Sequence, residues 1–168
     1  MKKTNKIALY FLLIFIIVVT GCAKKEKFGP LNSAHQHADF KVYILGNALD
    51  FSRPQYMVKH DLTHVENNDG DVLHTHATGI ALGFFLKTLN FEIDNECIKV
   101  DAGNKYCSLG SATLKVYLNP QGGNWEQLYS PADYVINDLD KILVTYGAES
   151  EEEIRKQQES VTDKAKDY

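Results

Sequence analysis

The stretch that decides the fold is HADFKVYILG, residues 37–46, in which apolar and polar side chains alternate. The apolar positions share one face of an extended chain: Phe40, Val42 and Ile44. The polar positions, which include His37 and Asp39, share the opposite face. Period-two alternation is typical of a β-strand with one buried face. The stretch therefore predicts a strand that lays one face on a hydrophobic core.

A hairpin is predicted directly downstream, where residues 56–79 read as a strand, a turn and a return strand. With a three-residue loop at 68–70, Val65 lies opposite Leu73, and His64 lies opposite His74. A loop of even length would instead mix polar and apolar residues on each face. Because hydrophobic matching usually decides strand register, the first pairing is favoured.

One helix and further strands follow the hairpin. Thr78 is a candidate N-cap for a helix whose apolar positions have helical spacing: Leu82, Phe85, Leu86 and Leu89. Strand candidates then lie near 96–101, at 113–119 and at 140–147. Strands, one helix and more strands predict an α+β domain over residues 34–147, with a mixed or antiparallel sheet and one crossing helix.

The last segment, residues 148–168, is rich in charge and poor in apolar side chains. Ser150 and Glu153 have the spacing of a capping box, which marks a helix N-terminus. Acidic residues come early in the segment and lysines late, an order that suits the helix dipole. The segment is predicted to be a solvated, fraying helix, with disorder as the alternative.

The N-terminus has the pattern of an export signal. Three lysines precede an apolar run at 7–19, which is too short to span a bilayer as a mature helix. The run ends in VTGC, residues 19–22, which resembles the lipobox of prokaryotic lipoproteins. That resemblance implies that residues 1–21 are a signal peptide, that Cys22 is lipidated, and that residues 22–33 form a tether on the outer face of the membrane. An uncleaved signal anchor is the alternative.

Charge and cysteine content limit the function classes. Without residues 1–21 the chain has 15 basic and 22 acidic residues, a net charge of −7 with neutral histidines. This balance argues against a nucleic-acid partner and mildly favours cations. In an exported domain, Cys97 and Cys107 are expected to form a structural disulfide across a hairpin or loop. The pair is not C-x-x-C, which argues against redox catalysis.

The histidines are the main functional clue, since all six fall between residues 35 and 76. Two H-x-H pairs occur, and on a strand each pair presents both imidazoles on one face. Neighbouring strands would bring the pairs together as a metal site. The candidate ligands are His35, His37, His74 and His76, with His64 as an auxiliary ligand and Asp39 as a further ligand or an imidazole support.

The chemistry of these donors suits certain ions. Imidazole ligands favour Cu(II), Zn or Ni, and no thiolate is available for Cu(I) or an iron–sulfur cluster. His76 also lies close to the predicted helix N-terminus, whose dipole favours the neutral, metal-binding form of the ring. The leading hypothesis is therefore a surface lipoprotein that binds a transition metal ion.

Two other classes of function stay open. The histidines are also compatible with a structural or pH-sensitive patch on an adaptor module that binds another envelope protein. A three-histidine metal site can activate water for hydrolysis. However, no nucleophile motif, paired-carboxylate signature or phosphate loop accompanies the cluster, so an enzyme is the least supported class.

Two longer resemblances cover most of the remaining chain. The helix at 77–89 and the final strands up to 147 resemble β-grasp, or ubiquitin-like, domains, which implies a helix crossing a mixed sheet. The ordered motifs HADFKVYILGNALDFS, HVENNDGDVLHTHATGIALG and DKILVTYG, over about 35–150, resemble a family of small exported archaeal and bacterial proteins. Members of that family are sometimes labelled protein-disulfide isomerases. The resemblance implies an exported, surface-attached, histidine-rich protein.

Overall fold

The computed structural model describes residues 28–101 and 103–168, which form an α+β fold. Its strands are β1 (Gln36–Ile44), β2 (Asn47–Ala48), β3 (Thr63–Glu66), β4 (Asp69–Thr75), β5 (Glu92–Ile93), β6 (Cys97–Lys99), β7 (Lys105–Cys107), β8 (Thr113–Asn119), β9 (Glu126–Gln127) and β10 (Lys141–Gly147). Its α-helices are α1 (Leu82–Thr88) and α2 (Glu151–Ser160). Short 3-10 turns occupy Pro120–Gly122, Pro131–Asp133 and Ala165–Asp167.

The main sheet is mixed and has the order β3-β4-β1-β10-β8-β9, with β2 paired to the far end of β1. The first and the last long strand, β1 and β10, lie side by side in parallel at its centre. The other pairings are antiparallel. The predicted fold class, α+β with a mixed sheet, one crossing helix and a C-terminal helix, is confirmed.

The alternation in β1 places its apolar face in the core, as predicted. Phe40, Val42 and Ile44 are buried there, and the Phe40 ring lies 5.1 Å edge-on from the ring of Phe85 in α1. The predicted apolar face of the helix is also buried, but the Thr78 cap is wrong. The helix begins after Ala81, which makes no side-chain cap hydrogen bond. The backbone N–H of Thr78 donates instead to Ser33 Oγ, which fixes the chain before the helix starts.

The β3–β4 hairpin has the predicted histidine pairing but a different turn. His64 lies opposite His74, and both Val65 and Leu73 are fully buried. The turn consists of Asn67 and Asn68, both in the left-handed region, so the predicted loop at 68–70 is wrong. Asparagine tolerates this conformation, and two such residues suit a tight hairpin turn. Val65 lies in the irregularity between His64 and Glu66, so its predicted pairing with Leu73 is not formed, although both side chains are buried.

A second, three-stranded sheet has the order β5-β6-β7 and carries the predicted disulfide. Cys97 and Cys107 lie directly opposite each other in β6 and β7, and their sulfur atoms are bonded. A cross-link over so short a loop stabilises the folded state by somewhat under ~3 kcal/mol on the chain-entropy model. The disulfide therefore acts as a clip on a small hairpin.

The C-terminal segment packs on the face of the main sheet opposite α1. The capping box of α2 is present, since Ser150 Oγ accepts from Glu153 N–H and the Glu153 carboxylate accepts from Ser150 N–H. After the helix, Val161 and Ala165 are buried. The predicted helix is therefore present and mostly exposed to solvent, but the residues after it are held on the sheet by polar contacts that the composition does not reveal. Of the helices in the described residues, none has the length and apolar character needed to cross a membrane.

Candidate functional site

The five predicted histidines lie together on the face of the sheet opposite α1. Register places His37 of β1 opposite His74 of β4, and His74 opposite His64 of β3. These three side chains therefore form a row across three adjacent strands. His35 and His76 come just beyond the strand ends and form a second row, with ring centroids 5.2 Å apart.

The five imidazoles form a closed ring in which each one contacts two others. The centroid distances are 4.8 Å for His35–His37, 4.7 Å for His37–His74, 5.9 Å for His74–His64, 5.0 Å for His64–His76 and 5.2 Å for His76–His35. We call these five residues the histidine ring. The prediction that the fold brings the two H-x-H pairs together is therefore confirmed.

The spacing within the histidine ring is close to that of imidazoles sharing an ion. Two rings bound to one tetrahedral Zn²⁺ through ~2.0–2.1 Å bonds have centroids about 5 Å apart. However, in the part of the chain that the structure describes, no group of three or more His, Cys, Asp or Glu side chains is arranged to hold a metal ion. Several of the contacts are edge to face, so ligation requires the rings to rotate about their side-chain bonds.

Burial keeps the deepest imidazoles neutral. Burial, reinforced by the nearby His37, His64 and His76, lowers the pKa of His74 to about 4, although Glu66 opposes the shift. Burial and the neighbouring His35 also lower the pKa of His37, against an opposing effect of Asp138. A neutral ring keeps the lone pair that a metal needs.

The pKa of His76 is lowered too, but not for the expected reason. Its causes are burial and then the neighbouring His64 and His35. The helix α1 begins only at Leu82, so its dipole lies too far along the chain to act on His76. The expected direction is therefore right, and the expected cause is wrong.

Glu66 is a neighbour of the histidine ring that the sequence analysis missed. Its Oε2 atom lies 3.2 Å from His64 Nε2, and its Oε1 atom lies 3.8 Å from His74 Nδ1. Glu66 follows His64 by two residues on the same strand, so period-two spacing was a signal that could have found it. A carboxylate thus stands at the edge-strand side of the histidine ring.

Tyr168 covers the opposite part of the histidine ring. Its aromatic ring lies 4.8 Å from that of His74 and 5.5 Å from that of His37, and the residue is 47% exposed. No local pattern could have indicated this contact, because the C-terminal segment reaches the site only through tertiary packing.

Asp39 does not have the predicted role beside the imidazoles. It shares a strand face with His37, but its Oδ1 atom accepts hydrogen bonds from the Thr162 hydroxyl and from Lys164 N–H at 3.0 Å. Its Oδ2 atom accepts from Ala165 N–H at 3.1 Å. The prediction of a ligand or imidazole support at this position is corrected, because the carboxylate instead anchors the C-terminal segment.

The sixth histidine, His60, lies outside the histidine ring. Its Nδ1 atom accepts a hydrogen bond from Leu62 N–H, and its ring packs edge-on against Phe84 at 5.1 Å. Cys22 and the predicted signal peptide fall outside the described residues, so lipidation stays a prediction.

We compared the chain with protein-family models, with curated proteins and with solved structures, and found none that matches it. The resemblances to a family of exported proteins and to β-grasp domains therefore stay predictions.

Proposed function

We propose that this protein is a membrane-anchored surface lipoprotein that binds a transition metal ion through the histidine ring. The observation that carries the proposal is the ring itself: five imidazoles from three strands and their ends, with neighbouring centroids 4.7–5.9 Å apart. The ligands would come from His35, His37, His74 and His76, with His64 as the auxiliary ligand. Its biological role would be sequestration, delivery or sensing of the ion.

The donor chemistry supports Cu(II), Zn or Ni. Imidazole is a favoured ligand of all three ions. A tetrahedral site uses four ligands, so the ring holds more imidazoles than one such ion needs. In the described residues both cysteine thiols are consumed by the Cys97–Cys107 disulfide, so neither can serve as a thiolate ligand.

Metal binding is expected to stabilise the fold. At a free metal concentration a hundredfold above Kd, the free energy of unfolding should rise by about 2.7 kcal/mol, because only the folded state brings the imidazoles together. Thermal unfolding of protein without a polyhistidine tag, with and without Cu(II), Zn or Ni, measures this effect. His35→Ala/His74→Ala removes one imidazole from each row and should abolish the shift.

His60→Ala is the matched control, since it removes a histidine that lies outside the histidine ring. It should keep the full metal-dependent shift even if its own stability is lower. The shift in the wild type should weaken as the pH falls from about 6.5 toward 4, because the lowered pKa values of His37, His74 and His76 delay the competition of protons for these ligands, to about 4 for His74. An equal shift in the wild type and the double variant would contradict the proposal.

The anchor is the second part of the proposed function. It is supported by three lysines, a short apolar run and the VTGC motif at 19–22, followed by a polar tether. Acyl chains on Cys22 would hold the protein at the membrane, since each buried CH₂ contributes about 0.8 kcal/mol. Cys22→Ser is expected to block processing or release the protein from membranes. Membrane fractionation and mass spectrometry check this, and unchanged retention with an unchanged mass would argue against lipidation.

A further inference from the structure

His64 has an unusual hydrogen-bonding environment, because both of its ring nitrogens face acceptors. Nδ1 lies 2.8 Å from the backbone carbonyl oxygen of His60, and Nε2 lies 3.2 Å from Glu66 Oε2. A carbonyl and an ionised carboxylate only accept hydrogen bonds. A neutral imidazole has one N–H, and the shorter contact assigns it to Nδ1. The contact between Nε2 and the carboxylate can therefore hold either a proton or a metal ion.

The geometry around the space between His64 Nε2 and Glu66 Oε2 suits a metal ion. An ion placed ~2.0–2.2 Å from two atoms that are 3.2 Å apart sees them at an angle of about 100°, close to the tetrahedral value. Other donors are near: Glu66 Oε1 lies 3.8 Å from His74 Nδ1, and the His76 ring lies 5.0 Å from the His64 ring. The same small region therefore offers one carboxylate and three imidazoles.

His74 faces this region with Nδ1, which lies 3.8 Å from Glu66 Oε1. Its other nitrogen, Nε2, points away from Glu66, and it is buried without a hydrogen-bond partner among the described residues. The Glu66 side chain is 34% exposed and lies on the edge strand β3. An ion from solvent can thus reach the buried imidazoles by way of the carboxylate.

We propose that Glu66 is a metal ligand and that, with His64 and His74, it forms the centre of the metal site. His76 is the nearest fourth donor, so the site has mixed nitrogen and oxygen ligands rather than imidazole alone. Such a donor set suits Zn(II). This inference rests on the proposed metal-binding function and adds to it the residue that sets the ion's position at β3.

Glu66→Gln tests the ligand role, because it keeps the side-chain size and removes the carboxylate. We expect its Zn(II) affinity to fall at least about tenfold, a typical loss for a disturbed metal site. Competition with a chromophoric chelator measures this affinity. Co(II) absorption gives an independent readout, and its visible bands should change in the variant. Glu92→Gln makes the same charge change at an exposed ion pair with Lys99, and it should leave both readouts unchanged.

The outcomes separate this inference from the proposed function. If the wild type binds none of Zn(II), Cu(II) and Ni, both fail; if it binds Cu(II) or Ni but not Zn(II), this inference fails and the proposed function stands. If the wild type binds and Glu66→Gln binds equally well with an unchanged Co(II) spectrum, Glu66 is not a ligand, while the proposed function stands. If Glu66→Gln changes the ¹⁵N chemical shifts of His64 but not the Zn(II) affinity, the space between His64 Nε2 and Glu66 Oε2 holds only a proton. That result would also overturn the inference.

A second variant covers the case in which Glu66→Gln does not fold, as judged by circular dichroism. Glu66→Asp keeps the charge but withdraws the carboxylate by one methylene group. If Glu66 is a ligand, this variant should bind Zn(II) more weakly than the wild type and show a shifted Co(II) spectrum. Wild-type values for both would overturn the inference.

Discussion

Asp39→Ala is expected to lower the free energy of unfolding by roughly 3–5 kcal/mol, because three buried or half-buried donors lose an ionised acceptor at once. The carboxylate binds the Thr162 hydroxyl and the N–H groups of Lys164 and Ala165. Alanine offers no replacement acceptor, so these donors must stay unpaired or the C-terminal segment must leave the sheet. Urea unfolding followed by circular dichroism measures the change.

Asp163→Ala is the matched control, since it removes a carboxylate from the same segment. Asp163 forms exposed ion pairs with Lys141 and Lys166, and such pairs contribute little to stability. Limited proteolysis adds a local readout: residues after 160 should become susceptible to cleavage in Asp39→Ala and stay protected in Asp163→Ala. A similar loss of stability in both variants would show that the buried anchor is not the decisive contact.

The metal-free fold is expected to lose about 3 kcal/mol of stability as the pH falls from about 6.5 to 4, from His74 alone. Burial and the neighbouring imidazoles lower the folded-state pKa of His74 to about 4, whereas the unfolded chain has the ordinary value near ~6.5. In that window the unfolded state binds a proton that the folded state does not. Stability is therefore complete above the unfolded pKa and falls as the pH drops toward the folded pKa.

His74→Gln should flatten this pH dependence, because glutamine does not titrate. Urea unfolding at several pH values between 6.5 and 4, in the presence of a chelator, gives the slope for each protein. The lowered pKa values of His37 and His76 contribute a residual slope of the same sign. Equal slopes for the wild type and His74→Gln would argue against a lowered pKa of His74 in the folded state.

The same property supports a second candidate function, a pH-sensitive patch. Burial lowers the pKa values of His37, His74 and His76, so acidification charges three rings that are packed in their neutral form. If the free energy of unfolding depends on pH in the same way with and without metal, the pH-sensitive patch is favoured over metal binding.

The strands and the meeting of the histidines could be predicted because both depend on period-two spacing. The alternation in β1 identified the buried face, and the apolar pair Val65 and Leu73 fixed the register that brings His64 opposite His74. Each of these inferences uses only neighbours along a strand or across a hairpin. The position of Glu66 could have been predicted in the same way, because it follows His64 by two residues on one strand.

The results for Asp39, Tyr168 and Thr78 have a different physical origin, which is contact between segments that are distant in the sequence. The side chain of Asp39 lies on the strand face that carries the site. However, its carboxylate accepts hydrogen bonds from a segment more than a hundred residues further along the chain. Tyr168 reaches the histidine ring by the same route. Thr78 looked like a helix cap, yet its backbone is bound by Ser33 from the segment before β1. No local pattern encodes such partners.

The parallel pairing of β1 with β10 also has a consequence for how the chain folds. The central strand β1 needs a neighbour that begins at Lys141, about a hundred residues further along, and closing so long a loop has a high entropic cost. Folds dominated by such non-local pairings have a high contact order and fold slowly. A chain growing on the ribosome cannot complete the sheet until its last strand has emerged. Fragments that end before residue 141 should therefore stay unfolded and sensitive to proteases.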